Sequence, residues 1–150
     1  MATTAAITIN SDIGMGANVS KSMTLTKAGA LTDIEETTGF SRRKLAATTA
    51  VDLITMANEL VAPSDNTAAK VYVRNIGDGK GTVDKSTYVT ISIGDTSGTP
   101  QPIGRLYGND WMFLPWSAID TDADIMITSQ TGTNKITYTL FHEGRTLTAS

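Results

Sequence analysis

The sequence predicts an all-β protein, an antiparallel β-sandwich or jelly roll with an extended N-terminal arm. Apolar and polar residues alternate with period two in several short stretches, the mark of half-buried strands. Turn-forming Gly, Pro, Asn and Asp recur between them at intervals of roughly 8 to 15 residues, as in sandwiches, jelly rolls and barrels. Charged residues are only 18% of the chain while Thr and Ser are abundant, as in TTAAIT, ATTA and TYTL, and Thr suits a pleated, half-buried surface. At 150 residues the chain can bury one substantial core without metal or disulfide staples, and it is short for two domains.

Residues 1–18 are small and polar, with Gly14 and Gly16, and offer little to bury. They read as an extended arm, disordered alone or ordered against a neighbouring chain, with the sandwich domain spanning 19–150. From 19 to 26, Val19, Lys21, Met23 and Leu25 alternate with Ser20, Ser22, Thr24 and Thr26, a strand with a modest buried face. Ser41-Arg42-Arg43-Lys44 is a basic cluster expected in a solvated loop, available for polar contact. The stretch 45–61 admits a helix through Leu53, Met56 and Leu60, or a strand. Thr48, Thr49 and Val51 lower helix propensity and favour the strand.

The second half is clearer. Ala69, Val71 and Val73 oppose Lys70, Tyr72 and Arg74, and Val89, Ile91 and Ile93 oppose Thr90 and Ser92. A hairpin between these strands, tipped by the glycine-rich stretch 77–81, is the natural expectation. After the turn residues 96–100, the apolar run from Ile103 to Leu114 is broken by Gly108-Asn109-Asp110, giving two short strands around a turn. Ala123, Ile125 and Ile127, then Ile136, Tyr138 and Leu140 across Thr131-Gly132-Thr133-Asn134, suggest another hairpin.

The chemistry-bearing inventory is thin, and no catalytic, cofactor-binding or metal residue is assigned. Zero cysteines exclude thiolate nucleophiles, Cys-ligated zinc and iron–sulfur clusters. Twelve basic residues against fifteen acidic ones give a net charge of −3, which argues against direct nucleic-acid binding. The start MATTAAITIN carries no basic residue before an apolar run, and no stretch approaches the roughly 18 apolar residues of a membrane span, so a soluble chain without membrane contact is expected.

Gly14-Met15-Gly16 lacks the third glycine of a dinucleotide turn, Val19 standing there, and 76–82 lacks the order of a phosphate-binding loop. Asp120, Asp122 and Asp124 offer alternate carboxylates to calcium. Ile125 and Thr131 occupy the positions where an EF-hand loop needs Gly and Glu, which favours a solvated turn and leaves a metal open. His142 is the only histidine and no G-x-S-x-G elbow accompanies it. Glu35 and Glu36, adjacent in sequence, would point to opposite faces of a strand and cannot flank one bond. Asn18-Val19-Ser20 fits a glycosylation acceptor by a pattern common by chance.

Trp111-Met112-Phe113-Leu114-Pro115-Trp116 stands apart. Alternation puts Trp111, Phe113 and Pro115 on one face and Met112, Leu114 and Trp116 on the other, so both faces are apolar. Three readings are open: burial within the domain, an apolar patch between chains, or a platform for sugar stacking. Pro115 cannot donate to a ladder and places the segment at an edge or strand end. Tyr107, Trp111, Phe113 and Trp116 are the expected apolar contacts, and Arg42, Arg43 and Lys44 the polar ones.

The outline over about 45–145 resembles the small virion structural proteins of tailed bacteriophages. The resemblance is carried by Lys70-Val71-Tyr72-Val73-Arg74-Asn75, Tyr88-Val89-Thr90-Ile91-Ser92-Ile93-Gly94, Ile103-Gly104-Arg105-Leu106 and Ile136-Thr137-Tyr138-Thr139-Leu140-Phe141, after an extended Thr- and Ala-rich start. It implies β-sandwich or jelly-roll modules that decorate or cement capsids, or build fibres and collars, as trimers or other symmetric oligomers without cofactors. The first 44 residues match nothing in that pattern.

The expectation is a non-enzymatic capsid decoration or cement protein in the virion, assembled in the host cytoplasm. Its partners would be copies of itself, a trimer being favoured, and the major capsid protein or other virion proteins. The alternative is a tail fibre, collar or glycan-binding module, with Trp111 or Trp116 stacked on a sugar and Asp120 to Asp124 fixing hydroxyls. A small carboxylate hydrolase is a third possibility with little machinery behind it.

Overall fold

The structure, a computed structural model, describes residues 4–9, 19–24, 36–37, 40–54, 68–77, 87–94, 98–117, 124–130 and 133–142. Among them the chain forms eleven strands and no helix: β1 (Thr4–Ile9), β2 (Val19–Thr24), β3 (Glu36–Thr37), β4 (Ser41–Leu45), β5 (Ala50–Ile54), β6 (Ala68–Gly77), β7 (Tyr88–Ile93), β8 (Gln101–Tyr107), β9 (Trp111–Ser117), β10 (Ile125–Ser129) and β11 (Asn134–His142). β1 and β2 pair with each other in a two-stranded antiparallel sheet. A smaller sheet runs β5-β10-β7-β8. A larger one runs β11-β6-β9, with β3 and β4 sharing the far edge of β11.

The pairing has one logic. β4 pairs β11, β5 pairs β10, β6 pairs β9 and β7 pairs β8, all antiparallel. The chain is thus a long antiparallel ribbon whose tip is the β7–β8 connection. Rolling that ribbon brings β11 against β6 and β10 against β7, and two four-strand layers result. This is the topology of a jelly roll, so the predicted class holds.

Two predicted hairpins do not form. β6 and β7 lie in different sheets, as do β10 and β11. Alternation dictates which face a side chain uses but not which strand it pairs with, and in a rolled ribbon successive strands cross between layers. The hairpin inside the sandwich is instead β7–β8, across the turn residues 96–100. Gly94 starts that connection at φ 133°, where a Cβ would lie 2.9 Å from the Pro100 Cα, so only glycine fits without strain.

The stretch 45–61 is a strand where it is described. β5 carries two adjacent buried residues, Leu53 and Ile54, which simple alternation forbids. The register explains them: Ile125 faces Ile54 and Met126 faces Asp52, so Leu53 is an extra residue in a bulge that lets both neighbours reach the core. Residues 55–61 lie outside the described residues. The cluster Arg42-Arg43-Lys44, expected in a loop, is strand β4, because its backbone completes the edge of β11.

The core fills the space between the layers. The larger sheet contributes Leu45, Val71, Val73, Trp116, Ile136 and Leu140, and the smaller one Leu53, Ile54, Val89, Ile91, Leu106, Ile125 and Ile127. Each such side chain stabilises by about 1.5–3 kcal/mol relative to exposure. Polar pins set the layers' ends. Asn75, fully buried, donates from Nδ2 to the Leu106 carbonyl at 2.9 Å and accepts at Oδ1 from the Gly77 amide at 2.9 Å. Asn134, also buried, donates to Ser129 Oγ at 2.7 Å where the chain passes from β10 to β11.

Candidate association face

The outward side chains of the larger sheet follow from the same alternation that fills the core. With Val71, Val73 and Asn75 inward, Lys70, Tyr72 and Arg74 face out. On β9, Trp116 is inward and only 4% exposed, and Met112 and Leu114 pack against the same core. Trp111, Phe113 and Pro115 therefore share the outer face. Register aligns the strands: Tyr72 sits opposite Phe113, Arg74 opposite Trp111, and Lys70 opposite both Pro115 and Phe141.

An aromatic row results. The Tyr72 and Trp111 rings stack with centroids 6.2 Å apart and planes at 30°. Phe40, just before β4, meets Tyr72 edge-on at 6.0 Å. Phe113 reaches across β6 to Phe141 at 6.2 Å. Such geometries contribute about 0.5–1.5 kcal/mol per pair beyond burial, yet the row stays open to solvent: Trp111 is 50% exposed and Phe40 71%.

The hairpin strand β1 flanks this row. Its residues Thr4, Ala5, Ala6 and Ile7 form one wall of a cleft of about 280 Å³ whose other wall is Phe40, Tyr72, Trp111, Phe113 and Phe141. Ala5 and Ile7 are half-buried while Thr4, Ala6 and Thr8 are exposed, so the alternating face of β1 is turned to the aromatics. Among the described strands β1 pairs only with β2. The boundary drawn at residue 18 falls between these two strands of one small sheet.

Beyond the aromatic row the same outer face is basic. Leu45 points into the core, which turns Arg42 and Lys44 outward. Thr137 links Arg42 on one side to Arg74 on the other, and Lys44 lies opposite Lys135. Arg74 donates to Asn109 Oδ1 at 3.3 Å. Arg43 has the opposite parity and donates from Nη1 to the Asp52 carbonyl of β5 at 2.7 Å, tying the two layers at their edge.

The residues selected from sequence thus separate. Trp111 and Phe113 share the outer face of the larger sheet, Arg42 and Lys44 lie farther across that face, and Arg43 braces the sheet edge. Trp116 is core and the free surface of the chain does not present it. Tyr107 is on the outer face of the smaller sheet, its ring 5.3 Å from Tyr88, with the Arg105 guanidinium 4.5 Å over Tyr88. Tyr72, Phe40 and Phe141 were not singled out. Tyr72 was legible as outward from its neighbours Val71 and Val73, but its placement beside Trp111 depends on register.

Pro115 stands on an edge strand as its chemistry requires, since β9 pairs only β6 among the described strands. Of the acidic run, Asp124 is buried, with its carbonyl accepting from the Gly94 amide at 2.9 Å. Asp120, Asp122, Glu35, the glycine turns at 14–16 and 78–81, and the 18–20 motif's Asn18 lie outside the described residues. No group of three metal-ligating side chains occurs among the described residues, and no described helix is long and apolar enough to cross a membrane.

No protein-family model matches the chain, and comparison with curated proteins gives no match. Among solved structures the chain is similar to one from work titled "Bacillus endospore appendages form a novel family of disulfide-linked pili". The two share 16% identity over 74% of this chain and 94% of that one, with a TM-score of 0.36. A likeness of that degree fixes neither fold nor role for this chain, which has no cysteine with which to form a disulfide.

Proposed function

We propose that the chain is a non-enzymatic structural subunit that associates through the outer face of its larger sheet and decorates or cements the capsid of a tailed phage. The observation that carries this reading is the solvent-open aromatic row of Tyr72, Trp111, Phe113 and Phe40 beside an apolar cleft. Aromatic side chains concentrated on one face mark interaction surfaces, because burying them supplies area at low conformational cost. Arg42, Lys44, Arg74 and Lys135 on the same face give polar contacts and steer an acidic partner. The phage setting rests on the resemblance of strand and turn pattern, and a trimer with the major capsid protein as neighbour is the form it favours.

A glycan-binding module is the second reading, favoured by the half-exposed indole of Trp111 stacked on Tyr72. A glycan array decides it. Sedimentation of the purified chain, alone and mixed with capsids of the phage that encodes it, tests the first reading. The expected result is an oligomer that travels with the particles. A strict monomer that never joins them would overturn it.

A further inference from the structure

We infer that in the assembled protein the β1–β2 hairpin of each copy seats on the aromatic outer face of a neighbouring copy, taking the place of that copy's own hairpin. The inference rests on the reading of the chain as an associating subunit and names the segment and the surface that join.

The hairpin is weakly held where it lies. Its two strands pair with each other and with no other described strand, and an isolated two-stranded hairpin is marginal in water. It meets the sandwich through Ala5 and Ile7, side chains too small to fill the space in front of Tyr72, Phe113 and Phe141. About 280 Å³ of solvent-open cleft remains between the hairpin and the rings, apolar surface that the hairpin leaves uncovered. The surface and the segment are nonetheless complementary, since the half-buried face of β1 is the one turned to the rings.

Exchange costs the hairpin none of these contacts, because an identical face on a second copy offers the same rings. It also adds contact. A neighbour drawn alongside covers Phe40 and Trp111, which the chain's own hairpin leaves 71% and 50% exposed, and puts further side chains at the unfilled cleft. The residues 25–35 that connect β2 to β3 reach roughly 35–40 Å at full extension, enough to span to an adjacent sandwich. When each copy hands its hairpin to the next, the contact is heterologous, and it gives a closed ring such as the favoured trimer where the rotation between copies closes.

The chain has no cysteine, so introduced thiols report cleanly. Two single variants, Ala5→Cys on β1 and Phe40→Cys on the facing wall, are given different tags, co-refolded as a mixture and treated with a short bis-maleimide. The double variant is treated in parallel. The expected result is a covalent dimer carrying both tags from the mixture, and a ladder above monomer from the double variant. Cross-linking confined to the monomer of the double variant, with none in the mixture, would overturn the inference, and so would no cross-link in either sample. Circular dichroism confirms folding, and Thr4→Cys, on the same cleft wall, replaces Ala5→Cys if that chain does not fold. An oligomer by sedimentation whose cross-links are all internal refutes the exchange alone; a monomer refutes the functional reading as well.

Discussion

Asn75 holds the corner at which the chain leaves β8 for β9. Its side chain joins the Leu106 carbonyl to the Gly77 amide, while its own amide donates to the Asp110 carbonyl at 3.0 Å and its carbonyl accepts from the Asn109 amide at 2.8 Å. Asn109 is left-handed, φ 72°, and the Asp110 amide donates back to the Tyr107 carbonyl at 2.9 Å, closing a turn that Asn tolerates better than most residues. Truncation would strand a buried carbonyl and a buried amide. Asn75→Ala is therefore expected to lower the unfolding free energy by about 1–3 kcal/mol in urea titration, with Asn75→Asp no better because a carboxylate cannot donate to Leu106. None of this was legible in the sequence, where Asn75 is one polar residue at the end of an alternating strand. What it satisfies is fixed by a crossing between layers.

β9 shows how far alternation carries. The separation of Trp111, Phe113 and Pro115 from Met112, Leu114 and Trp116 could be read directly, and Pro115 gave the edge. Which apolar face would be core could not be read, because both were equally apolar; the packing of Val71, Val73 and Leu140 decides it. The two tryptophans therefore differ in kind. Trp116→Ala is expected to cost about 3–5 kcal/mol of stability in thermal or urea unfolding, as for a large side chain removed from a core. Trp111→Ala is expected to cost less, about 0.5–1.5 kcal/mol, the share of its stack on Tyr72. A comparable loss from both would mean that Trp111 is structural and that the outer face is not spare. β5 shows the limit of alternation from the other side: its pattern looked imperfect because the bulge at Leu53 shifts register, and a bulge answers to the partner strand β10, which lies far along the chain.

At the scale of the molecule, the all-β class and the alternation along most strands of the second half were legible while connectivity was not. Both expected hairpins, β6 with β7 and β10 with β11, are replaced by crossings that a rolled ribbon imposes, and this is also what makes the candidate face. Tyr72, Trp111, Phe113 and Phe141 become neighbours only because β11, β6 and β9 lie side by side in this order. Rolling buries one face of each layer and leaves the other to its surroundings, and on the larger layer that second face is aromatic at one end and basic at the other. Sedimentation equilibrium of the wild type against the double variant Phe40→Ser with Trp111→Ser tests most directly whether another polypeptide covers it. The wild type is expected to associate and the variant to remain monomeric over the same concentrations with its β-sheet circular dichroism retained, whereas equal association of the two would contradict the account.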